Sequence, residues 1–282
     1  MNKCLIFDCE TATLPKLKQL EEQGKIKNIS VRYPIIYDAG WTVCDLSTGE
    51  ILKKQSYIVM ETYFNESVFN TAYYKNKRSL YDKMIDNDEI QVKRWKIIAE
   101  RLEKDLQTVN YVSAYNASFD YKALRKTELY IRKREEGKLE NFENWLYKFY
   151  AGEITPNKAG RNYNNDVLEF REISLPIVDI WAMACELLKE SKEYKDFCIN
   201  ELDLSKRTYF PTNAESVYQF LQNAPDFVEE HTALQDATIE TDILIACLAT
   251  LPLITGIVHF PFRALGKIED YQMSRLKEIF PY

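Results

Sequence analysis

The sequence predicts an α/β fold in which a mixed β-sheet is flanked by helices. Apolar runs of strand length come first in the chain, strand and helix patterns then alternate, and helical patterns recur towards the C-terminus. This order is typical of an α/β domain built around one sheet. With 282 residues and 46% hydrophobic composition, the chain is long enough for one large domain with a sizeable core.

The first three strands are predicted from apolar or β-rich runs. Residues 3–8 form a short apolar run that predicts a buried strand with Asp8 at its carboxyl end. Residues 14–28 have a proline near the start and a glycine near the end, which indicates a short helix. Residues 35–45 and 51–60 are β-rich and separated by turn residues, so they predict a hairpin and an antiparallel part of the sheet.

Strand and helix patterns alternate in the rest of the chain. Residues 91–107 carry apolar side chains at a helical period, residues 111–116 predict a strand, and residues 118–134 predict the helix that follows it. The polar stretch 151–172 predicts an irregular excursion or a small hairpin inserted in the domain. Further helices are predicted at 179–190, 213–222 and 232–250.

Composition limits the kinds of partner. The net charge of −6 argues against a tight non-specific grip on duplex nucleic acid, but it does not exclude an enzyme that holds a phosphodiester through bound metals. None of the six cysteines forms a C-x-x-C pair, which favours buried thiols in a reducing cytosol. The sequence shows neither a signal peptide nor a bilayer-spanning apolar run, so we expect a cytoplasmic protein without a membrane partner.

The first candidate site lies at the end of the first strand. Because side chains alternate along a strand, Asp8 and Glu10 should share one face while Cys9 points to the other. Two neighbouring carboxylates repel each other unless a cation lies between them, and their oxygens suit Mg²⁺ or Mn²⁺. A solvated strand end is the alternative explanation of this short pattern.

The second candidate is NASFD at residues 116–120, where a strand passes into a helix. Asn116 or Ser118 can cap that helix, which places Asp120 in its first turn. The helix dipole favours an anion there. Asp120 therefore suits either a metal-binding carboxylate held in fixed geometry or a simple stabilising aspartate.

The third candidate is HTALQD at residues 231–236. Thr232 and Gln235 fit a capping box with Thr232 as the N-cap. His231 and Asp236 then occupy the two positions that a hydrophobic staple normally brings together, which favours a functional pair over a purely structural helix start. The other histidine, His259, lies in an apolar context and is expected to be structural.

In their order FDCET, NASFD and HTALQD, the three motifs resemble those of the DEDDh family of 3′-to-5′ exonucleases, and the chain looks like stand-alone phage-type or proofreading members. The resemblance implies a ribonuclease H-like fold. It covers roughly residues 1–250, and we expect an exonuclease domain at 1–255 with a C-terminal extension at 256–282 packed on it. Insertions without a clear counterpart are expected near 14–34, 61–90 and 135–172.

The resemblance also implies a two-metal mechanism. Asp8 would bridge two divalent cations, Mg²⁺ or Mn²⁺, with Glu10 and Asp236 completing one of them and Asp120 orienting the other through water. His231 would be the general base, since a neutral imidazole can accept the proton of an attacking water at pH 7–8. The products would be nucleoside 5′-monophosphates released from the 3′ end.

Substrate contacts follow from the same resemblance. The backbone of Thr11 and Ala12 would meet the 3′-hydroxyl, and Asn116 belongs to the second motif. Leu14 or Phe119 would wedge against the last bases, because stacking on apolar and aromatic groups tolerates any base. For Leu14, ordinary helix packing is the alternative. The basic residues of the helix after Asp120 either touch phosphates or form a solvated face; these are Lys122, Arg125 and Lys126.

Single-stranded DNA is the expected substrate, and a separate polymerase or repair factor is the protein partner to be considered. RNA or short oligoribonucleotides are the first alternative, because contacts to the 2′-hydroxyl decide between them. A non-catalytic nucleic-acid-binding module is the alternative from another class. If the chain is phage-encoded, its compartment would be the cytoplasm of the host cell.

Overall fold

One mixed sheet of seven strands organises the computed structural model, which describes residues 2–154 and 166–279. Across the sheet the strands lie in the order β4-β3-β2-β1-β5-β7-β6. Their bounds are β1 (Lys3–Ala12), β2 (Ile35–Asp45), β3 (Ile51–Val59), β4 (Gln91–Lys93), β5 (Tyr111–Ala114), β6 (Val167–Phe170) and β7 (Ile173–Asp179).

Strand β1 is the centre of this sheet. It pairs antiparallel with β2 and parallel with β5, while β2 pairs antiparallel with β3 and β5 pairs parallel with β7. The predicted hairpin of the second and third strands is confirmed. All eleven residues of β2 are buried, which explains why this strand was so apparent in the sequence.

Helices flank the sheet, as the sequence predicted. Two short 3₁₀ turns, Lys75–Lys77 and Pro261–Leu265, accompany them. The helices are α1 (Pro15–Glu22), α2 (Ile29–Arg32), α3 (Met60–Tyr63), α4 (Glu66–Phe69), α5 (Arg78–Asp86), α6 (Trp95–Leu106), α7 (Ala117–Glu135), α8 (Leu139–Tyr150), α9 (Ile180–Leu188), α10 (Lys192–Glu201), α11 (Ala214–Leu221), α12 (Ala233–Leu248) and α13 (Ile268–Ile279).

The two faces of the sheet have separate cores. Leu5 and Phe7 of β1 pack with the face that carries α6 and α7, whereas Cys4 and Ile6 pack with the face that carries α9 and α12. Alternation along β1 therefore places Asp8 and Glu10 on the α12 side.

Some boundaries differ from the sequence prediction. The helix predicted at 14–28 ends at Glu22, and the helix predicted at 91–107 begins only at Trp95 because β4 precedes it. Helices α2 to α5, α8, α10 and α13 were not predicted. Of these, α2, α3 and α4 have only four residues each, too few to show a helical period. Within the predicted excursion 151–172, residues 155–165 lie outside the described residues, and β6 forms a hairpin with β7.

The described residues after 255 pack against the same sheet and core. The Gly256 amide donates to the Ile177 carbonyl of β7 at 2.8 Å, and Leu265 and Ile268 are buried in the core of the α12 face. In the part of the chain that the structure describes, no helix is both long and apolar enough to cross a bilayer.

Candidate metal and catalytic site

All five predicted site residues lie around one end of β1. Asp8 and Glu10 stand near the carboxyl end of that strand, and Asp120 and Asp236 stand in the first turns of α7 and α12. His231 directly precedes α12 in a loop. The N-terminus of a helix carries the positive end of its dipole. It therefore favours the negative charge of the acidic residue in the first turn of α7 and of α12.

The tightest group joins the first and third motifs. One donor atom each of Glu10, His231 and Asp236 can be chosen so that all three lie within 4.8 Å of one another. His231 Nδ1 is 4.0 Å from Asp236 Oδ2 and 3.6 Å from Glu229 Oε2. Glu10 is 221 positions from His231 and 226 positions from Asp236 in the chain, yet the fold brings the three to a spacing that one ion can bridge.

Asp8 and Asp120 are not part of this triplet, but their carboxyl groups interact electrostatically with its carboxyl groups. Burial raises the pKa of Asp8 well above its usual value, and the charges of Glu240, Asp120, Asp236 and Glu10 raise it further. Burial also raises the pKa of Asp120 to about 8.

Cys9 enters the site from the opposite face. Its side chain belongs to the core on the α7 side, as alternation predicted, yet its Sγ donates to Asp120 Oδ1 at 3.3 Å. Asp120 therefore approaches the end of β1 from the side of Cys9, whereas Asp236 approaches from the α12 side. The two helices hold their carboxylates on either side of one strand.

The donor set fits a hard divalent cation. Among the described residues, Asp236 Oδ1 and Glu240 Oε2 are buried side-chain oxygens without a hydrogen-bond partner. Burial raises the pKa of Asp236 to about 8, and the charges of Glu229 and Asp38 add to the shift. A bound cation would give the unpartnered oxygens a ligand to coordinate. Its positive charge would also lower the raised pKa of the carboxyl groups.

From the raised pKa values of these carboxyl groups we expect the stability of the metal-free protein to fall as the pH rises. A carboxyl group whose pKa is about 8 in the fold and about 3.9 unfolded binds more protons in the folded state between these values. The stability that Asp236 contributes is therefore full below about pH 4 and is lost as the pH rises towards 8. We expect the Tm of the metal-free protein to fall between pH 5 and pH 8, and Mg²⁺ to raise Tm more at pH 8 than at pH 5.

Differential scanning fluorimetry in EDTA and in MgCl₂ measures this dependence. Asp236→Asn should reduce both the fall of Tm with pH and the gain with Mg²⁺. Asp242→Asn, an exposed carboxylate on the same helix outside the Glu10, His231 and Asp236 triplet, should leave the gain with Mg²⁺ nearly unchanged. An equal gain of Tm with Mg²⁺ in both variants would contradict the assignment.

The start of α12 is built differently from the predicted capping box. Thr232 occupies the N-cap position, but within the described structure its side chain makes no capping hydrogen bond. Gln235 Oε1 instead accepts from the Glu230 amide at 2.8 Å, and Asp38 Oδ2 of β2 accepts from the Ala233 amide at 2.9 Å. A carboxylate from the sheet thus caps the helix, because β2 lies directly beneath its first turn.

Gly40 allows this close approach. It pairs with Asp8 in the sheet, and a Cβ atom built on it would lie 2.2 Å from the Leu234 amide nitrogen and 2.3 Å from the Ala233 carbonyl carbon. Both are backbone atoms and cannot move aside without shifting α12. Gly40 therefore sets the distance between the strand that carries Asp8 and the helix that carries Asp236.

Gly40→Ala is expected to lower the free energy of unfolding by about 1–3 kcal/mol, the usual cost of overpacking a close contact. Urea denaturation followed by circular dichroism measures this change. Because α12 must move away from β2, the variant should also bind Mn²⁺ more weakly in calorimetry. Unchanged stability and unchanged Mn²⁺ affinity would show that the close contact does not set the site.

The second motif also lacks the predicted cap. Asn116 holds the N-cap position of α7 in a left-handed conformation, φ 62°, and within the described residues its side chain makes no capping hydrogen bond. Asparagine tolerates this conformation better than most residues. Its contribution is the sharp entry into α7 that turns Asp120 towards β1.

The predicted substrate residues divide by burial. Thr11 and Phe119 are partly buried and Asn116 is exposed, whereas Ala12 and Leu14 are buried. Leu14 is 0% exposed and packs in the core on the α7 face. This burial favours the helix-packing alternative for Leu14, and the contact of Leu14 or Phe119 with the last bases stays a prediction.

Other basic and aromatic predictions also change. Lys122 Nζ donates to the Val31 carbonyl at 3.5 Å, and Lys126 Nζ lies 4.9 Å from the centroid of the Tyr33 ring. Both lysines therefore contact residues of the segment 14–34. His259 is exposed, although its apolar context predicted a structural residue. All six cysteines are buried and free, as predicted.

Sequence reasoning missed several carboxylates beside the site, among them Asp38, Glu229 and Glu240. Asp38 is fully buried in the middle of β2 and lies opposite Glu10 in the sheet. Glu240 is 3% exposed and lies one helical turn after Asp236. A lone acidic residue inside a buried strand, and another at i+4 from a candidate ligand on an apolar helix, were the available signals.

No model of a known protein family matches the chain, and no curated protein matches it significantly.

Proposed function

We propose that this protein is a divalent-metal-dependent 3′-to-5′ exonuclease. The observation that carries the proposal is the convergence of Glu10, His231 and Asp236 within 4.8 Å, with Asp8 and Asp120 in electrostatic contact beside them. Three motifs that are far apart in the chain thus supply one acidic cluster with one imidazole. The mixed seven-stranded sheet is compatible with the ribonuclease H-like fold that the motifs imply.

The carboxylates would hold the cations. Asp8, Glu10 and Asp236 would be ligands, and Asp120 would act from the other side of β1. Bound there, divalent cations would lower the pKa of a water molecule and neutralise the charge that develops on the phosphodiester. The net charge of −6 leaves the protein itself little attraction for phosphates, so the cations would also carry much of the substrate affinity.

His231 would accept the proton of the attacking water. Burial and the charge of Lys77 lower the pKa of the imidazole from its usual value, so it is neutral at physiological pH. Its Nδ1 faces the carboxylates of Glu229 and Asp236, which favour a proton on that nitrogen. Nε2 is then the free acceptor.

The test is a nuclease assay on matched single-stranded DNA and RNA of equal sequence. With 5′-labelled DNA, we expect a ladder of products shortened from the 3′ end in Mg²⁺ or Mn²⁺ and none in EDTA. With 3′-labelled DNA, the first labelled product should be a nucleoside 5′-monophosphate. Shortening of RNA alone would reassign the substrate. Absence of metal-dependent shortening of both would refute the proposal.

A further inference from the structure

The 61–90 insertion contacts the loop that carries His231 at three points. The ring of Tyr74 stacks on the imidazole of His231, with ring centroids 4.6 Å apart and planes inclined by 16°. The Lys77 ammonium donates to the Glu230 carbonyl. The Tyr81 hydroxyl lies 3.4 Å from the His231 carbonyl oxygen.

The loop itself has little regular structure to hold it. Residues 227–232 belong to no helix or strand, and His231 adopts a left-handed conformation with φ 51°. Residues without special stabilisation rarely adopt that conformation. The imidazole side chain is also 29% exposed, so burial alone does not fix its orientation. Contacts from outside the loop must therefore position it.

Tyr74 is well placed to supply that contact. A parallel stack restricts tilting of the imidazole plane while it leaves both ring nitrogens accessible in that plane. The Tyr74 ring is itself held, since the Lys77 ammonium lies 4.6 Å from its centroid. The same lysine thus ties the stacking ring to the backbone of residue 230.

The aromatic core of the insertion does not depend on Tyr74. Tyr37, Tyr63, Phe69 and Tyr81 form a fully buried cluster of edge-to-face contacts between β2 and the insertion. Tyr74 is only partly buried, and its ring contacts are with Tyr73 and His231. Replacing Tyr74 should therefore leave the insertion folded.

We propose that Tyr74 is a positioning residue for His231, with the 61–90 insertion acting as a brace that holds the general base in the orientation for proton transfer. This inference rests on the proposed nuclease function. A displacement of a catalytic group by about 1 Å can cost about 10²-fold in rate. A single stacking ring is therefore sufficient to matter for turnover.

Steady-state kinetics on 5′-labelled single-stranded DNA test the proposal. Tyr74→Ala should lower kcat by about 10²-fold and change KM little. Tyr74→Phe, which retains the ring and removes the hydroxyl, should restore most of kcat. Unchanged kcat in Tyr74→Ala would overturn the proposal. So would an increase in KM alone, which indicates substrate binding, or an equal loss in both variants, which indicates a role of the hydroxyl.

A second measurement does not depend on activity. Because the chain has two histidines, proton NMR resolves two imidazoles, and His259→Asn assigns them. Ring current from Tyr74 should shift the His231 ring protons upfield, in the wild type and in Tyr74→Phe but not in Tyr74→Ala. Absence of the shift in the wild type would refute the stack even in an active nuclease. A wild type with the shift but without nuclease activity would refute the proposed function, and with it the positioning role.

Discussion

Asp236→Asn is expected to abolish Mg²⁺-dependent shortening of 5′-labelled single-stranded DNA. Asp236 is the point at which the first and third motifs meet, since its side chain lies 4.0 Å from the imidazole and belongs to the same 4.8 Å triplet as Glu10. Asparagine has nearly the same volume, so the packing of α12 against β2 is retained while one negative charge and one cation ligand are lost.

Two measurements separate loss of ligation from loss of structure. Isothermal calorimetry should show weaker Mn²⁺ binding by Asp236→Asn, while its metal-free Tm at pH 8 should equal or exceed that of the wild type because a buried like-charge contact is removed. Asp242→Asn, the exposed carboxylate on α12, is the matched control and should retain activity. Wild-type activity in Asp236→Asn would remove Asp236 from the metal site.

The same substitution at Asp8 and at Asp120 distinguishes ligands on the two sides of β1. Asp8 is surrounded by negative charge from both helices, so its loss should be as severe as that of Asp236. Asp120 interacts with Cys9 on the opposite side. If one cation were enough and lay only in the Glu10 triplet, Asp120→Asn would retain activity, which the two-metal proposal does not allow.

Much of the sheet could be predicted because its signals are local. Strand β2 begins and ends at the predicted residues 35 and 45, since a run of eleven buried residues between turn signals is distinctive. The placement of Asp120 and Asp236 in first turns of helices followed from the same kind of local pattern. The α/β class and the flanking helices are therefore confirmed.

The supporting contacts could not be predicted, because each joins segments that no local pattern connects. Asp38 caps a helix that begins 195 residues later, and Gly40 is required only because that helix lies on it. In the sequence, Thr232 and Gln235 formed a plausible capping box. In the structure the Thr232 side chain makes no capping hydrogen bond, and the sheet carboxylate of Asp38 accepts instead from the Ala233 amide at 2.9 Å.

The segment 61–90 illustrates the same limit. Its sequence contains many tyrosines, and nothing in their spacing separates the core residue Tyr81 from Tyr74, whose ring stacks on His231. Tyr74 has a stacking partner only because the fold brings residues 229–232, with His231, next to it. A segment outside the three motifs can thus contribute contacts to the cluster that the motifs form.

His231→Ala is expected to lower kcat by a factor on the order of 10² to 10⁴, the usual contribution of a positioned general base. Wild-type activity should fall as the pH decreases through the pKa of His231, because only the neutral imidazole accepts a proton. Burial and Lys77 lower that pKa from its usual value near 6.5, so the acidic limb should lie below pH 6.5. In His231→Ala this acidic limb should be lost, and the remaining rate should come from the bound cations without a general base.

The exposed His259 provides the control, since His259→Ala removes the same side chain outside the three motifs and should leave both kcat and the pH profile unchanged. Tyr74→Ala should give an intermediate result. Its His231 is still present but less well oriented, so kcat falls while the acidic limb remains. A profile that keeps its acidic limb in His231→Ala would assign proton transfer to another group. The nearest such group is Glu229, whose pKa burial raises to about 7.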